Sequence, residues 1–217
     1  GSRGKGIRGL QRERLGYPRG SFEVIFSEVI KRITDLGGEI NLSSNVQEVL
    51  VNDKKATGLR VQLADGTTED RAFDVVIATT PSFVLWRIVP NLPDEYVKKL
   101  QSVRYLAAVL AILVLDRPLS HIYWLNIADR SIPFLGVIEQ TNLVDPSFYG
   151  GNHIVYLSNY LSRENPLYSA SKEELLEAYL PHLKKLNPLF EESWIKEYHY
   201  HREEAAQPVT VTNYSEY

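Results

Sequence analysis

The chain contains no cysteine and no methionine. Without cysteine there is no disulfide, no thiolate metal site and no thiol nucleophile. Without methionine there is no start of translation among the 217 residues, and Gly1-Ser2 reads as a cloning remnant. Two expectations stay open: the chain is a piece of a longer one, or modified residues are missing from the written sequence. Long apolar runs are lacking too. The longest, Tyr105 to Leu115, is closed by Arg104 and Asp116, whereas a membrane-crossing helix needs about 20 apolar residues. It is predicted to be a buried element, helix or strand, because periodicity alone does not separate the two. No secretory leader is visible, so the cytoplasm is the expected compartment. The one stretch that could rest on a membrane surface is Pro81 to Pro90, carrying Phe83, Leu85, Trp86 and Ile88. A buried helix explains it equally well. Nucleophile-elbow, P-loop and zincin motifs are also missing.

What is present suits an ordinary folded chain. Hydrophobic residues make up 44%, charged residues 24%, and the formal net charge is -3. That is enough apolar material for one large core or two small ones. Gly1 to Arg19 is rich in Gly and Arg, with Glu13 as its only acid. A nucleic-acid arm would interleave aromatics among such charges. Here none appears before Tyr17 and the rest of the chain is acidic, so 1–19 is read as a basic tail or linker and nucleic acid is not an expected partner.

The patterns then call for an α+β chain. Phe22, Phe26, Val29, Ile30 and Ile33 fall on one face of a helix running from Ser21 to Leu36, stopped by Gly37-Gly38. Ile40 and Leu42 alternate with polar residues as a strand would. Val46 to Val51, a polar turn at Asn52 to Lys55, and Leu59-Val61-Leu63 before Asp65-Gly66 predict a β-meander. Asp74 to Ala78 reads as a strand buried on both faces. After a boundary near Pro81, short helices are expected over 81–89 and 93–103. Strands with aromatic faces are expected over 123–127, 134–139, 153–160 and 194–201. Ser171-x-x-Glu174 is a capping box opening a helix that Asn187-Pro188 stops.

Few residues carry chemistry by pattern alone. Gly4-x-Gly6-x-x-Gly9 matches a dinucleotide fingerprint, but no strand precedes it, so it is read as a coincidence of the tail. His199 and His201 share a strand face with Glu197, a conceivable metal site that is weaker than a half-exposed strand as an explanation; no metal is assigned. Asp129, Glu139 and Glu164 are acids without spacing that joins them. Tyr123, Trp124, Phe134, Tyr156 and Tyr160 are candidates to line the pocket of an apolar or planar substrate.

The run Gly16-Tyr17-Pro18-Arg19-Gly20, Leu36-Gly37-Gly38-Glu39-Ile40, Val46-Gln47-Glu48-Val49, Thr57-Gly58-Leu59, Asp65-Gly66 and Asp74 to Pro81 resembles the second half of the FAD-binding domain of the flavin amine oxidase superfamily. That superfamily includes protoporphyrinogen oxidase and phytoene desaturase. The resemblance implies an α/β parent, with 20–80 as the distal part of its FAD domain and 81–217 as a substrate domain built on a mixed sheet with helices on one side. It implies that Val46 offers its backbone N–H and C=O to the adenine of FAD. It also implies that Thr79-Thr80-Pro81 lies beside the cofactor and that Ala206-Gln207-Pro208 returns toward it. The implied activity is FAD-dependent oxidation of a C–N or C–C bond of a small organic molecule. A flavin-dependent isomerase or mutase, or a non-catalytic module that kept the scaffold, are the alternatives. Missing N- and C-terminal segments of the parent chain would carry most of the cofactor grip, so this chain by itself is expected to bind flavin weakly or not at all. No catalytic residue is assigned.

Overall fold

In the computed structural model residues 16–213 are described. The Gly4 to Gly9 pattern and most of the basic tail lie outside them. The chain divides between Asn41 and Leu42 into two compact units, and each stands on its own account.

The first unit is built on α1 (Glu23–Asp35). Ser21 Oγ accepts the Glu23 N–H at 3.2 Å at its start. At its end Gly38 donates to the Ile33 carbonyl at 2.9 Å, with Gly37 at φ +82°, where a side chain would be strained. The predicted apolar stripe is present, yet no residue of α1 is buried within this unit, and Phe26 is 61% exposed.

The second unit begins with the meander: β1 (Asn45–Asn52), β2 (Lys55–Gln62) and β3 (Thr68–Ala72), antiparallel in that order. Asp53 and Lys54 both have positive φ and form the tight turn between the first two strands. Asp65 accepts the Thr67 N–H at 2.9 Å and so shapes the second turn. A β-carbon on Gly58 would sit 2.2 Å from the Arg71 carbonyl oxygen, so only glycine lets β2 and β3 approach this closely. Arg60 crosses all three strands, bonding Glu48 at 2.6 Å and Asp70 at 2.9 Å.

Two short helices, α2 (Ser82–Ile88) and α3 (Asp94–Ser102), lead to the main sheet. Its strands are β4 (Tyr105–Leu115), β5 (Trp124–Asn126), β6 (Gly136–Glu139), β7 (His153–Leu161) and β8 (Ile195–Pro208), in the order β5-β6-β7-β4-β8. The ambiguous run at 105–115 is thus an inner strand, between β7 and β8. After β7, the short α4 (Pro166–Ser169) and the long α5 (Lys172–Leu186) cross over to β8. The capping box at Ser171 forms as predicted, with Glu174 N–H to Ser171 Oγ at 3.1 Å and Ser171 N–H to Glu174 Oε2 at 2.7 Å.

α5 covers one face. Leu175, Tyr179 and Leu183 are fully enclosed against Val109, Ala111, Leu113 and Leu157. Each buried leucine of this kind stabilises the fold by about 1.5–3 kcal/mol. Glu139 is also fully buried at the end of β6. Its carboxylate accepts the N–H groups of Leu119 and Ser120 at 2.9 and 2.7 Å, and the Ser120 hydroxyl at 3.0 Å. That carboxylate therefore anchors the segment entering β5.

Three expectations are corrected. The main sheet is antiparallel at every pairing, not mixed: α5 joins two strands that run the same way, but β4 lies between them. Asp74 to Ala78 forms no strand, and Val75 and Ile77 are 73% and 83% exposed. A strand apolar on both faces needs neighbours on both edges, and no described strand pairs with it. Ile40 and Leu42 likewise join no ladder, Leu42 being 82% exposed.

Candidate functional site

β4 is apolar at every position, yet only its odd-numbered residues face α5. Ala107, Val109, Ala111, Leu113 and Leu115 are buried, whereas Leu106, Ala108, Leu110, Ile112 and Val114 are only partly covered. Pairing carries this second face across the sheet. Ile112 stands opposite Tyr156 and His199, Leu110 opposite Ser158 and His201, and Ala108 opposite Tyr160. Tyr156 in turn pairs with Ile138, and Ile138 with Trp124. The result is a broad, partly covered aromatic and aliphatic surface on the side of the sheet away from α5.

Three predicted pocket residues meet on this face. Trp124 and Tyr160 are 54% and 45% exposed, and Tyr156 lies between them in the sheet and is half-buried. Trp124 Nε1–H donates to Asn126 Oδ1 at 3.0 Å, which fixes the indole. Tyr123 precedes β5, its carbonyl accepting the Glu139 N–H and its ring 6.4 Å from that of Trp124. Phe134 lies elsewhere: it is 1% exposed, in the core under α5, edge-on to Tyr179 at 5.0 Å. Its aromatic character reflects packing.

The cofactor-side candidates converge at one end of β4. Thr79, Thr80 and Pro81 are exposed and precede α2, with the Pro81 carbonyl accepting from Val84 and Leu85. Pro81 is the N-cap of α2. The next residue, Ser82, donates its backbone N–H to the Tyr105 hydroxyl at 3.1 Å. Tyr105 pairs with Pro208, so Ala206 to Pro208 reaches the same place. α2 also lies against β1, the strand of Val46. Val46 is half-buried, and β1 is an outer strand of the meander. An outer strand leaves one edge of its backbone N–H and C=O groups without a strand partner.

At this end the surface deepens into a cleft of about 600 Å³ lined by α2, the start of β4, the segment after β7 and the end of β8. A smaller cleft of about 460 Å³ adjoins it across Val103, Arg104 and Val209.

The remaining candidates do not gather. Glu139 is buried, Glu164 lines the large cleft, and Asp129 accepts the Ser131 N–H at 2.8 Å, a bond that holds its carboxyl below the usual range. His199 Nε2 is 3.3 Å from Glu197 Oε2 on the exposed edge. Among the described residues no group of three or more such side chains could hold a metal ion. No described helix is long and apolar enough to cross a membrane. The partly covered face and the cleft were not singled out from sequence, although the even-position apolar residues of β4 were their signal.

Residues 6–214 match the family of flavin-containing amine oxidoreductases, and the chain belongs to that family. It is thus a member of an oxidoreductase family whose cofactor is a flavin. A lycopene-forming phytoene desaturase from Pseudescherichia vulneris is 39% identical over 69 residues, 31% of this chain and 13% of that protein. An oxidoreductase from Methanosarcina mazei superimposes with TM-score 0.66 at 23% identity, over 86% of this chain and 43% of its own. Reduced UDP-galactopyranose mutase superimposes with TM-score 0.69 at 19% identity, over 88% of this chain and 40% of its own. These solved structures share the fold. The chain spans less than half the length of each relative.

Proposed function

We propose that the intact protein is an FAD-dependent oxidoreductase acting on a C–N or C–C bond of a small organic substrate, and that the partly covered face of the main sheet is one wall of its substrate site. In this reading 20–80 is the distal part of the FAD domain and 81–217 the substrate domain. The observation that carries it is the second face of β4: it is as apolar as the buried face, but its residues are only partly covered. An apolar wall edged by a few polar groups is what a small-molecule site needs. FAD, when bound, supplies the hydride-accepting ring.

The chain's own residues orient and shield. Trp124, Tyr156 and Tyr160 present flat apolar surfaces, and Leu110 and Ile112 keep water from the floor. Backbone groups of β1 near Val46 suit the adenine, and Thr79 to Pro81 borders the cofactor. The exposed Val75 and Ile77, and separately the stripe on α1, suit partners from the rest of the parent chain. For that reason the 217-residue chain alone should retain little flavin. Amines, porphyrinogens and carotenoid or glycan precursors are the substrate classes to try.

The test is to purify the intact protein, release its cofactor and identify it by chromatography, then add substrate classes without oxygen. FAD near one equivalent and bleaching of its visible band by one class support the proposal. An intact protein without flavin overturns it. The likeness to a mutase favours a second reading, in which flavin undergoes no net oxidation. Turnover without any electron acceptor would select it.

A further inference from the structure

The large cleft has a charge pattern that its own fold leaves unbalanced. Arg87, Arg104 and Arg163 line it against Glu164 and Glu204. Arg163 is paired with one of these acids, Glu204. It bonds Glu204 directly, and it helps, after Glu164's own backbone N–H and the Ser162 hydroxyl, to hold the Glu164 carboxyl below its usual range. Arg87 and Arg104 have no carboxylate partner among the described residues.

Both side chains are exposed, and that of Arg87 is held by stacking. The Arg87 guanidinium lies over the rings of Phe83 and Trp86, 5.6 and 5.5 Å from their centroids. Phe83 is itself set edge-on to Tyr105 at 5.8 Å, and Tyr105 is tied to Ser82. Stacking uses the guanidinium face and leaves its N–H edge available. At Arg104 the backbone is fixed, its carbonyl accepting the Val209 N–H at 2.8 Å. Val103 and Leu106 line the same cleft. Leu106 belongs to the face of β4 that continues into the aromatic wall.

We propose that this cleft binds the anionic end, a carboxylate or a phosphate, of an organic ligand whose apolar body lies along the second face of β4. Arg87 and Arg104 are the anion-binding pair. A planar guanidinium matches either oxyanion through paired N–H donors. The cleft's volume is within the range of small-ligand sites. The placement of the apolar body rests on the proposed substrate wall; the anion site itself does not require flavin.

The test uses the full 217-residue chain without flavin and follows binding by calorimetry. The probes are 4-phenylbutyrate, phenyl phosphate, inorganic phosphate and the neutral 4-phenylbutan-1-ol. The proposal expects at least one aryl anion to bind and the alcohol to fail. It also expects Arg87→Gln and Arg104→Gln each to weaken the anion about tenfold, the loss of a charge-assisted hydrogen bond. The conservative Arg87→Lys and Arg104→Lys variants should retain part of the affinity, and unchanged circular dichroism would show that all variants fold. Tighter binding of phenyl phosphate than of phenylbutyrate identifies a phosphate ligand, and the reverse a carboxylate. Binding of inorganic phosphate alone, equal binding of the alcohol, no binding, or affinity indifferent to both glutamine variants overturns the proposal. A flavin-free intact protein would overturn the oxidoreductase reading and leave this result standing.

Discussion

The hydroxyl of Tyr105, the first residue of β4, accepts the backbone N–H of Ser82 at 3.1 Å and lies 3.2 Å from its Oγ. This contact fixes the start of α2, and with it the end of the Thr79 to Pro81 loop, to the mouth of the large cleft. Tyr105→Phe keeps the ring and its edge-on contact with Phe83 but removes the acceptor. It should lower unfolding stability by about 1 kcal/mol in a urea titration. Ser82→Ala, which keeps the backbone bond, should cost less. Equal losses would show that the hydroxyl pair, not the backbone bond, anchors the loop.

Gly58 is held against the Arg71 carbonyl. Gly58→Ala should destabilise the meander by roughly 1–3 kcal/mol, because the added carbon has no room. Backbone hydrogen exchange at Thr57 to Leu59 should accelerate while that of β4 and β7 is unchanged. A protected meander in the variant would contradict the close approach.

Glu139 meets three donors. In Glu139→Gln one accepting oxygen becomes a donor facing a donor, which should cost about 1–3 kcal/mol. The segment from Leu119 to Trp124 should loosen, seen as a change in the fluorescence of Trp124. No change in either stability or emission would show that Glu139 does not hold this segment.

Tyr179 is enclosed under α5, and burial pushes its hydroxyl up to about 12; burial also raises that of Tyr198. A raised native value means that the neutral form favours folding. The contribution is full below the unfolded value near pH 10 and is lost as pH rises through about 12. Stability should therefore fall across that window, and less steeply in Tyr179→Phe. A variant with the same alkaline profile would show that Tyr179 ionises without cost.

Much of the fold was legible because it is local. The Ser171 capping box, the Asn52 to Lys55 turn and the Asp65-Gly66 hairpin depend on neighbours in sequence. Tyr105 to Leu115 could be either helix or strand until β7 and β8 flanked it, since a strand apolar on both faces loses its period-2 signature. Asp74 to Ala78 failed for the converse reason: its apolar character anticipates neighbours that the described chain does not give it. Phe134 and Trp124 look alike as aromatic residues near strands. Only the side of the sheet on which each falls separates core from wall. The Arg87 and Arg104 pair was hidden because α2, β4 and the end of β8 meet only in three dimensions, where Val209 bonds Arg104.

The second face of β4 is proposed here as a substrate wall in a flavoenzyme. Its most direct test is anaerobic bleaching of the flavin band in the intact protein, compared between wild type, Trp124→Ala and Tyr160→Ala. Flavin content should be unchanged in all three, and both variants should need a several-fold higher substrate concentration for half-maximal bleaching, from lost apolar and stacking contact. Bleaching at the same concentration in all three, with flavin content intact, would contradict it.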